Sequence, residues 1–343
     1  MKKFRLIKKK EEWCRQLTNY KTDWYHTWCF HQIALNNNEG KPILFVMDDF
    51  LLNESIAIPL LVRPIPGNQK YKDLTSVYGY SGFLFSSQNA TKLYNDFIDE
   101  LNIWSKQNNI ISIFSRLNSL LMDPKNLKNT FLVGETITIE LQTKESTQIS
   151  NYRSVFRNLL RRLKKNNFEV NWSNSIKNKK DFIYIYRQNM KNLNADKYYN
   201  FSDSYFDDLF NCEDINYRIY YVKLSNQTVC SGIFIFNGEI VQYHLSGALS
   251  EYKKYSPTIM LIDKAREDAN SLGFKFLHLG GGLANSKDSL FHFKSGFSKK
   301  VKKFYVFKMI TNDFVYKKLS KLSADNSTTN ENFFPLYRSL NKN

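Results

Sequence analysis

The residues best suited to chemistry lie at the end of a predicted strand, where Gln242, His244 and Ser246 occupy alternate positions. Alternation along a strand puts these three side chains on one face of the sheet. A histidine titrates near neutrality and can therefore exchange protons with a bound molecule. A polar face of this kind either meets water or lines a cleft. Three polar residues followed by Gly247 favour a cleft.

A glycine run follows the next predicted strand. Residues 274–279 lead directly into glycines 280–282, and the polar residues Asn285, Ser286 and Asp288 come soon afterwards. Glycine has no Cβ, so a ligand or another backbone segment can approach the chain closely. A turn that needs positive φ would explain one or two glycines, whereas three in succession favour a binding role.

A junction between loop and helix lies between these two strands. Residues 248–257 lead into a helix that the apolar periodicity predicts from Thr258 onwards. The first turn of a helix offers free N–H groups and a positive dipole, and Lys253 and Lys254 add charge beside it. The two strands are therefore expected to part near residues 245 and 280, where exposed main-chain amides could hold an activated carbonyl.

These patterns belong to a chain whose periodicity predicts a mixed α/β fold. Each half shows helices first, then consecutive strands, then a strand–helix–strand unit. In the middle, Tyr152, Phe156, Leu159 and Leu163 form the apolar stripe of a helix. Its other faces carry basic residues and no acid: Arg153, Arg157, Arg161, Arg162, Lys164 and Lys165. This helix is either a solvated basic face or an anion-binding surface.

Length and charge limit the classes of protein. The 343 residues suggest two domains, and their composition excludes disordered and collagen-like chains. A net charge of +17 favours anionic partners: nucleic acid, anionic lipid, nucleotides or coenzyme A. The four cysteines lack the spacing of zinc ligands, so no metal is predicted. The sequence shows neither a secretory signal nor a run of about 18 apolar residues, which predicts a cytoplasmic location.

A family resemblance rests on the same region. His278–Gly282 and Asp288–Phe297, with Tyr243–Gly247 upstream, resemble the Fem-type branch of the GNAT acyltransferases. That branch includes peptidoglycan-bridge aminoacyltransferases and acyltransferases of surface-polysaccharide synthesis. The segments Tyr152–Asn158 and Val77–Gly82 are also similar, and the resemblance covers the chain from about residue 70 to about residue 305.

The resemblance implies two tandem GNAT-like domains with a cleft between them: residues 1–145, residues 146–312, and a C-terminal tail of residues 313–343. In GNAT folds the pyrophosphate of acyl-CoA lies at a loop and helix start between splayed strands, which corresponds here to residues 252–258. The usual glycine-containing loop is absent, a departure shared by relatives that use aminoacyl-tRNA. The donor-binding residues predicted in this way are Ser246, Gly247, Lys253, Lys254, Tyr255, Ser256, Thr258, Gly280, Gly281 and Gly282.

The first functional hypothesis is an N-acyltransferase that moves an acyl group from acyl-CoA, a co-substrate, to the amine of a nucleotide-linked amino sugar. Direct attack needs a proton acceptor, for which His244 is the first choice and Asp73 and Asp288 are the second. The acceptor-binding residues predicted are Tyr78, Gly79, Tyr80, Asn285, Phe293 and Lys294. Core packing beside a glycine turn is the competing interpretation of the tyrosines.

Two alternatives remain open. A tRNA-dependent aminoacyltransferase acting on a peptidoglycan precursor would use the basic helix and the net charge for tRNA phosphates. A basic nucleic-acid-binding protein without enzymatic activity is the other. The sequence lacks a helix-turn-helix, zinc-finger or RNA-recognition signature that would support it.

Overall fold

The computed structural model describes residues 1–193, 199–283, 286–324 and 333–339. The chain divides into two compact units: unit 1 combines residues 1–133 and 304–343, and unit 2 comprises residues 134–303. The chain leaves unit 1 within strand β7 (Thr130–Glu140) and returns to it within strand β13 (Val301–Ile310).

The C-terminal residues differ from the predicted separate tail. Helix α10 (Asp313–Ala324) and a short helical turn at 336–338 belong to unit 1. Val315 and Tyr337 are buried there in one apolar cluster with Ile65 and Ile111. The sequence after residue 313 is rich in polar residues, and the few apolar side chains that attach it to unit 1 form no recognisable pattern.

Unit 1 is built on a sheet in the order β1–β2–β3–β4–β6–β13, with the short strand β5 paired to β3. Strands β4 and β6 are parallel, with helix α3 (Tyr94–Gln107) between them in the sequence, and the other neighbours are antiparallel. The remaining elements are β1 (Lys2–Ile7), α1 (Lys10–Leu17), α2 (Trp28–Asn36), β2 (Lys41–Asp49), β3 (Glu54–Ile65), β4 (Asn68–Thr75), β5 (Leu84–Phe85) and β6 (Ile110–Arg116).

Unit 2 repeats this plan with the sheet order β7–β12–β11–β10–β9–β8. Strands β11 and β12 are parallel, with helix α8 (Thr258–Ser271) between them in the sequence. The other elements are α4 (Glu145–Ser150), α5 (Ser154–Lys165), β8 (Glu169–Trp172), α6 (Ile176–Asn192), α7 (Asp203–Phe210), β9 (Asn216–Leu224), β10 (Gln227–Asn237), β11 (Ile240–Ala248), β12 (Phe276–Gly280) and α9 (Ser289–Lys294).

The core of unit 2 explains why α8 forms where the sequence predicts it. Pro257 precedes the helix and Gly273, with a φ of +80°, follows its end. Ile259 and Ile262 are fully buried in one cluster with Val241 of β11. The helix therefore covers the parallel pair β11/β12. No helix in the described part of the chain is long and apolar enough to cross a membrane.

Candidate active site

The parallel pair β11/β12 opens toward its carboxyl ends. Pairing joins Ile240 to Phe276, Val241 to Leu277 and Gln242 to His278, and β11 then continues alone on this side as far as Ala248. On its other side β11 stays paired with β10 over its whole length. We call the gap beyond Gln242 and His278 the notch. The strands separate two to three residues earlier than the predicted positions near residues 245 and 280.

A β-bulge lies in the strand that borders the notch. Ile233 of β10 pairs with Leu245 and Phe234 pairs with Tyr243, so His244 is the extra residue. The Tyr243 and Ser246 hydroxyls are hydrogen-bonded to each other, which places the two side chains on the same side of the strand. The strict alternation predicted for residues 242–246 is therefore wrong, because the bulge shifts every side chain after it.

His244 contacts a neighbouring helix. Its Nε2 lies 2.9 Å from the hydroxyl of Tyr205 on α7, and the Tyr205 ring stacks on Phe201 at 4.1 Å. Burial lowers the pKa of His244 to about 3, so its imidazole is neutral at physiological pH. Such an imidazole can pass a proton on but holds it weakly.

Lys294 crosses the notch. It is 9% exposed at the end of α9; its Nζ donates to the Gly281 carbonyl at 2.8 Å and lies 6.0 Å from the centre of the Tyr243 ring. One contact is with the chain after β12 and the other is with β11. Burial lowers the pKa of Lys294 to about 8, although the charge of Asp288 acts to raise it. A buried ammonium group at a gap between strands is a donor for a developing oxyanion.

The last paired residues of β11 and β12 form the floor of the notch. His278 Nδ1 donates to Oε1 of Gln242 at 2.8 Å, and both side chains are buried. Burial, and then the charge of Lys294, lower the pKa of His278 to about 3. His278 is therefore a neutral hydrogen-bonding group beside the lysine.

The glycine run has a structural explanation at each position. Gly280 has a φ of +76°, which favours glycine. A Cβ on Gly281 would lie 2.9 Å from the carbonyl oxygen of Glu135, and a Cβ on Gly282 would lie 2.4 Å from Asp288 Oδ1. The chain itself fills the space that the sequence assigned to a ligand. The contribution of this run to the site is the Gly281 carbonyl that holds Lys294.

The start of α8 is less open than predicted. Residues Ser250–Tyr255 form a short helical turn, and Ser256 has a left-handed φ of +54°. The N–H groups of Ile259 and Met260 already donate to the carbonyls of Ser256 and Pro257, at 3.2 and 2.9 Å. Two of the amides that would hold a pyrophosphate are thus used within the turn.

The other predicted donor residues near this turn make contacts of their own. The ring of Tyr255 packs on Phe168 at 5.6 Å and lies under Nζ of Lys254 at 5.1 Å, while Lys253 is half-buried. Thr258 Oγ1 lies 3.5 Å from Sγ of Cys230. A Cβ on Gly247 would meet the carbonyl oxygen of Ile185 at 2.9 Å, so this glycine permits close packing of α6 on β11.

The two predicted carboxylates occupy structural positions. Asp288 caps α9: its oxygens accept from the N–H groups of Phe291 and Leu283 at 2.9 and 3.0 Å. Burial acts to raise its pKa, but these hydrogen bonds outweigh that effect and the pKa is lowered. Asp73 is fully buried in unit 1, where Arg63 and Arg338 bind its two oxygens. It is not among the side chains that meet at the notch.

The predicted acceptor residues divide between the two units. Tyr78, Gly79 and Tyr80 follow β4 in unit 1, where a Cβ on Gly79 would lie 2.0 Å from the Tyr25 ring. Tyr80 packs edge-on against Tyr25 and Phe304 at 6.0 and 5.2 Å, in agreement with core packing. Asn285 lies outside the described residues.

The basic helix α5 adjoins the helix that carries Lys294. The Phe156 ring lies 5.7 Å from Phe293 and 4.9 Å from Phe297, and it fills the space that a Cβ on Gly296 would need. Phe293, predicted to bind substrate, thus packs between the two helices. Four residues of α5 are exposed and pair with no acid among the described residues: Arg161, Arg162, Lys164 and Lys165.

Part of the sequence matches a known family, and the fold resembles several solved structures. Residues 214–323 match the model of the FemAB family, a span that includes β11, β12 and α9. The crystal structure of FemX superimposes with a TM-score of 0.70 at 13% identity, over 92% of this chain and 99% of that chain. The chain has a Fem-type, GNAT-like fold. No curated protein matches the sequence.

Two further structures share the Fem-type fold. One is the C-terminal domain of a putative lysylphosphatidylglycerol synthetase from Agrobacterium fabrum, with a TM-score of 0.56 at 10% identity, over 92% of this chain and 97% of that chain. The other is a tandem GNAT protein from the clavulanic acid biosynthesis pathway, with a TM-score of 0.51 at 6% identity, over 91% and 99%. The predicted α/β class with two GNAT-like domains is confirmed, and the family match indicates a transferase enzyme that acts on an amine.

The notch brings together only some of the predicted residues. His244, Ser246 and Lys294 border it, whereas Asp73, Tyr78 and Tyr80 belong to unit 1. Sequence reasoning missed Tyr205, which holds His244. It assigned Lys294 to acceptor binding because nothing in the spacing shows that this lysine is buried.

Proposed function

We propose that the chain is an aminoacyltransferase that moves an aminoacyl group from tRNA to the amine of a peptidoglycan precursor. The observation that carries this proposal is the buried Lys294 ammonium held across the notch by the Gly281 carbonyl. An aminoacyl ester has the reactive carbonyl that such a site would stabilise.

The proposed reaction is a direct displacement. The acceptor amine attacks the ester carbonyl carbon, and a C–N bond forms while the carbonyl oxygen takes up negative charge. Lys294 stabilises that oxyanion. The tetrahedral intermediate then collapses, the C–O bond to the tRNA ribose breaks, and the leaving oxygen accepts the proton lost by the amine.

His244 remains the proposed route for that proton. The neutral imidazole, hydrogen-bonded to Tyr205, accepts the proton from the attacking nitrogen and passes it on toward the leaving oxygen. With a pKa of about 3 it cannot retain the proton at neutral pH, so it acts as a relay. Neither Asp288 nor Asp73 is needed in this scheme, because both already bind other groups.

The donor is inferred from two features. In the first turn of α8, the N–H groups of Ile259 and Met260 already donate to carbonyls of the same turn. This disfavours binding of the pyrophosphate of coenzyme A there. The exposed basic residues of α5 lie on a helix packed against α9 and suit the phosphates of an RNA acceptor arm. Since aminoacyl-tRNA is a cytoplasmic molecule, the proposal includes a cytoplasmic location.

One fold relative agrees with transfer of an aminoacyl group, since it is named a putative lysylphosphatidylglycerol synthetase. FemX and the putative lysylphosphatidylglycerol synthetase have the Fem-type fold over more than 90% of this chain. The resemblance to peptidoglycan-bridge aminoacyltransferases supplies the acceptor class. Transfer from acyl-CoA to a nucleotide-linked amino sugar is the second candidate function. It is favoured by the similarity to the tandem GNAT protein, whose title names AcCoA as the ligand left out of that structure.

Transfer assays with labelled donors test the proposal. We expect label from aminoacyl-tRNA, and none from acyl-CoA, to reach the amine of a UDP-linked peptidoglycan precursor. The triple variant Arg161→Gln, Arg162→Gln, Lys165→Gln should raise KM for tRNA and lower the log–log salt slope of binding by about 2 to 3.

A matched control removes three exposed lysines of α10 (Lys317→Gln, Lys318→Gln, Lys321→Gln) and should leave that slope nearly unchanged. Transfer from acyl-CoA to an amino sugar, with aminoacyl-tRNA inert, would contradict the proposed donor.

A further inference from the structure

Helix α6 of unit 2 carries its charged side chains on one side. Its buried side, which includes Phe182 and Tyr186, packs on strands β10 and β11 of the sheet. At 3.6 residues per turn, six of its exposed residues fall within about 100° of arc on the opposite side. We call these six residues the α6 stripe: Ile176, Lys177, Lys180, Tyr184, Arg187 and Lys191.

The α6 stripe has four cations and no acid. Its three lysines form no ion pair within the residues that the structure describes, and Arg187 pairs with Asp203 at 2.8 Å. Asp181, the only acid of the helix, lies outside the stripe and accepts a hydrogen bond from Thr228 at 3.0 Å. A row of cations without counter-charges attracts an anionic surface.

Two apolar side chains lie among these cations. Ile176 is 73% exposed and Tyr184 is 60% exposed, so each would gain free energy on removal from water. The phosphates of a nucleic acid would satisfy the lysines but offer nothing to the isoleucine. The interface of an anionic bilayer accommodates both kinds of side chain, because charged headgroups border an apolar layer. Tyrosine in particular is enriched at this boundary.

The α6 stripe and the basic helix α5 lie on opposite sides of the sheet of unit 2. A Cβ on Gly247 of β11 would lie 2.9 Å from the Ile185 carbonyl oxygen of α6. A Cβ on Gly232, paired with Ser246, would instead lie 3.4 Å from Leu261 of α8. Successive strand residues point to opposite faces, and α5 shares its core cluster with α8. A partner bound along α5 therefore leaves the α6 stripe accessible.

We propose that the α6 stripe binds the surface of an anionic lipid bilayer. Its lysines contact lipid phosphates, while Ile176 and Tyr184 enter the boundary between headgroups and acyl chains. Helix α6 then lies along the plane of the bilayer. This binding is independent of the donor that unit 2 uses.

Co-sedimentation of the full chain with lipid vesicles tests this surface. We expect binding to vesicles made of equal parts phosphatidylglycerol and phosphatidylcholine, and little binding to phosphatidylcholine alone. The triple variant Lys177→Gln, Lys180→Gln, Lys191→Gln should weaken binding about 100-fold, since each lysine near an anionic surface contributes about 5-fold.

The apolar part of the stripe has its own signature. The double variant Ile176→Ser, Tyr184→Ser should weaken binding about 10-fold at low salt and at high salt. The effect of the lysine variant should instead shrink as salt is added, because ions screen exposed charges. A double variant with wild-type vesicle affinity would contradict the insertion of these two side chains.

A matched control removes the same number of charges elsewhere. The variant Lys317→Gln, Lys318→Gln, Lys321→Gln, at exposed positions of α10, should keep most of the vesicle binding. Both triple variants should keep the wild-type melting temperature, since the substituted lysines form no ion pair within the described residues. Equal vesicle affinity in the two triple variants, or no binding of the wild type to anionic vesicles, would overturn the proposal.

Failure of this surface and failure of the proposed function can be told apart. Lys294→Met should lose transfer and bind vesicles as the wild type does. If aminoacyl-tRNA proves inert while vesicle binding still depends on the α6 lysines, the membrane surface stands and the donor assignment fails. If the α6 lysine variant loses affinity for tRNA and keeps its affinity for vesicles, the stripe binds RNA and the proposal is wrong.

Discussion

At the scale of single residues, Lys294 differs in its surroundings from the other lysines that the structure describes. Most lysines here are exposed, whereas this one is 9% exposed between the Gly281 carbonyl and the Tyr243 ring. Removal from water destabilises the charged form, which brings its pKa to about 8 and into the range where enzymes operate. The charge needed at an oxyanion is thus present at neutral pH but is lost within about two pH units above it.

This environment gives a pH-dependent prediction. The value of kcat/KM should fall as pH rises through about 8, because Lys294 loses the proton that stabilises the oxyanion. Lys294→Met should lower kcat by about 10²- to 10³-fold at pH 7. Lys294→Arg should retain part of the activity and move the descending limb to higher pH, since a guanidinium stays protonated.

Initial rates of transfer between pH 6 and 10 measure this effect. The control variant Lys299→Met removes an exposed lysine close by in the sequence and should leave the profile unchanged. A wild-type rate that keeps rising from pH 8 to 10, with Lys294→Arg inactive, would instead assign the neutral lysine as a base.

Residue types could be predicted from the sequence, but their environments could not. His244 and Lys294 were both named from the sequence, and both border the notch. Asp288 and Asp73 have the right chemistry for a base, yet one caps a helix and the other binds two arginines. A carboxylate in a sequence carries no sign of what will bind it, because those partners come from distant segments such as residue 338.

At the scale of elements, the C-terminal segment is attached to the sheet of unit 1 through Asp73. The Tyr337 hydroxyl lies 3.2 Å from Asp73 Oδ2 and 2.7 Å from the hydroxyl of Ser112, and Arg338 binds the same carboxylate. These contacts link the turn at 336–338 to both β4 and β6. Asp73 is therefore a structural anchor for this segment.

Substitution of Asp73 separates a structural role from a catalytic one. Asp73→Asn leaves Arg63 and Arg338 without a counter-charge and should lower the free energy of unfolding by about 3 kcal/mol, measured in urea. Activity per folded molecule should stay at the wild-type level. The control Asp99→Asn, at an exposed position of α3, should change stability by less than about 0.5 kcal/mol. Full stability with loss of transfer would make Asp73 catalytic after all.

Elements with strong periodicity follow the sequence closely, and irregular ones do not. The predicted helix over 258–272 and the strands around it are present within a few residues. The bulge at His244 and the early separation of β11 from β12 cannot be predicted from the sequence pattern. Both depend on the register with the partner strands. Strand β1 and helices α1 and α2, before residue 40, were not predicted at all.

At the scale of the whole molecule, two units of similar plan have different parallel pairs. In unit 1 the pair β4/β6 stays closed to Thr75, and in unit 2 the pair β11/β12 opens after Gln242. Within the described residues, β11 thus extends past the end of its parallel partner, from Tyr243 to Ala248. The two halves cannot be distinguished from the sequence in this respect, since alternation is the same in a paired and an unpaired strand end. This difference supports the proposed transfer chemistry in unit 2.

Buried neutral histidines make the stability of the molecule sensitive to acid. His26, His31 and His278 are at most 4% exposed, and burial lowers their pKa values to about 4, about 3 and about 3. In the unfolded chain a histidine takes up a proton below about pH 6.5. Because the folded pKa values are lower, the stability from these groups is complete above pH 6.5 and decreases as pH falls toward 4.

Each such histidine should contribute a loss of about 1.4 kcal/mol per pH unit in this range, so the three together contribute about 4 kcal/mol per unit. Urea unfolding of the full chain at pH 7.0, 6.0 and 5.0 measures the slope. His278→Gln can still hydrogen-bond to Gln242 and should reduce the slope by about 1.4 kcal/mol per unit. His292→Gln, at an exposed position of α9, should leave it unchanged. If His278→Gln shows the wild-type slope, His278 is already protonated in the folded state. That result would rule out a neutral His278 beside the charged Lys294.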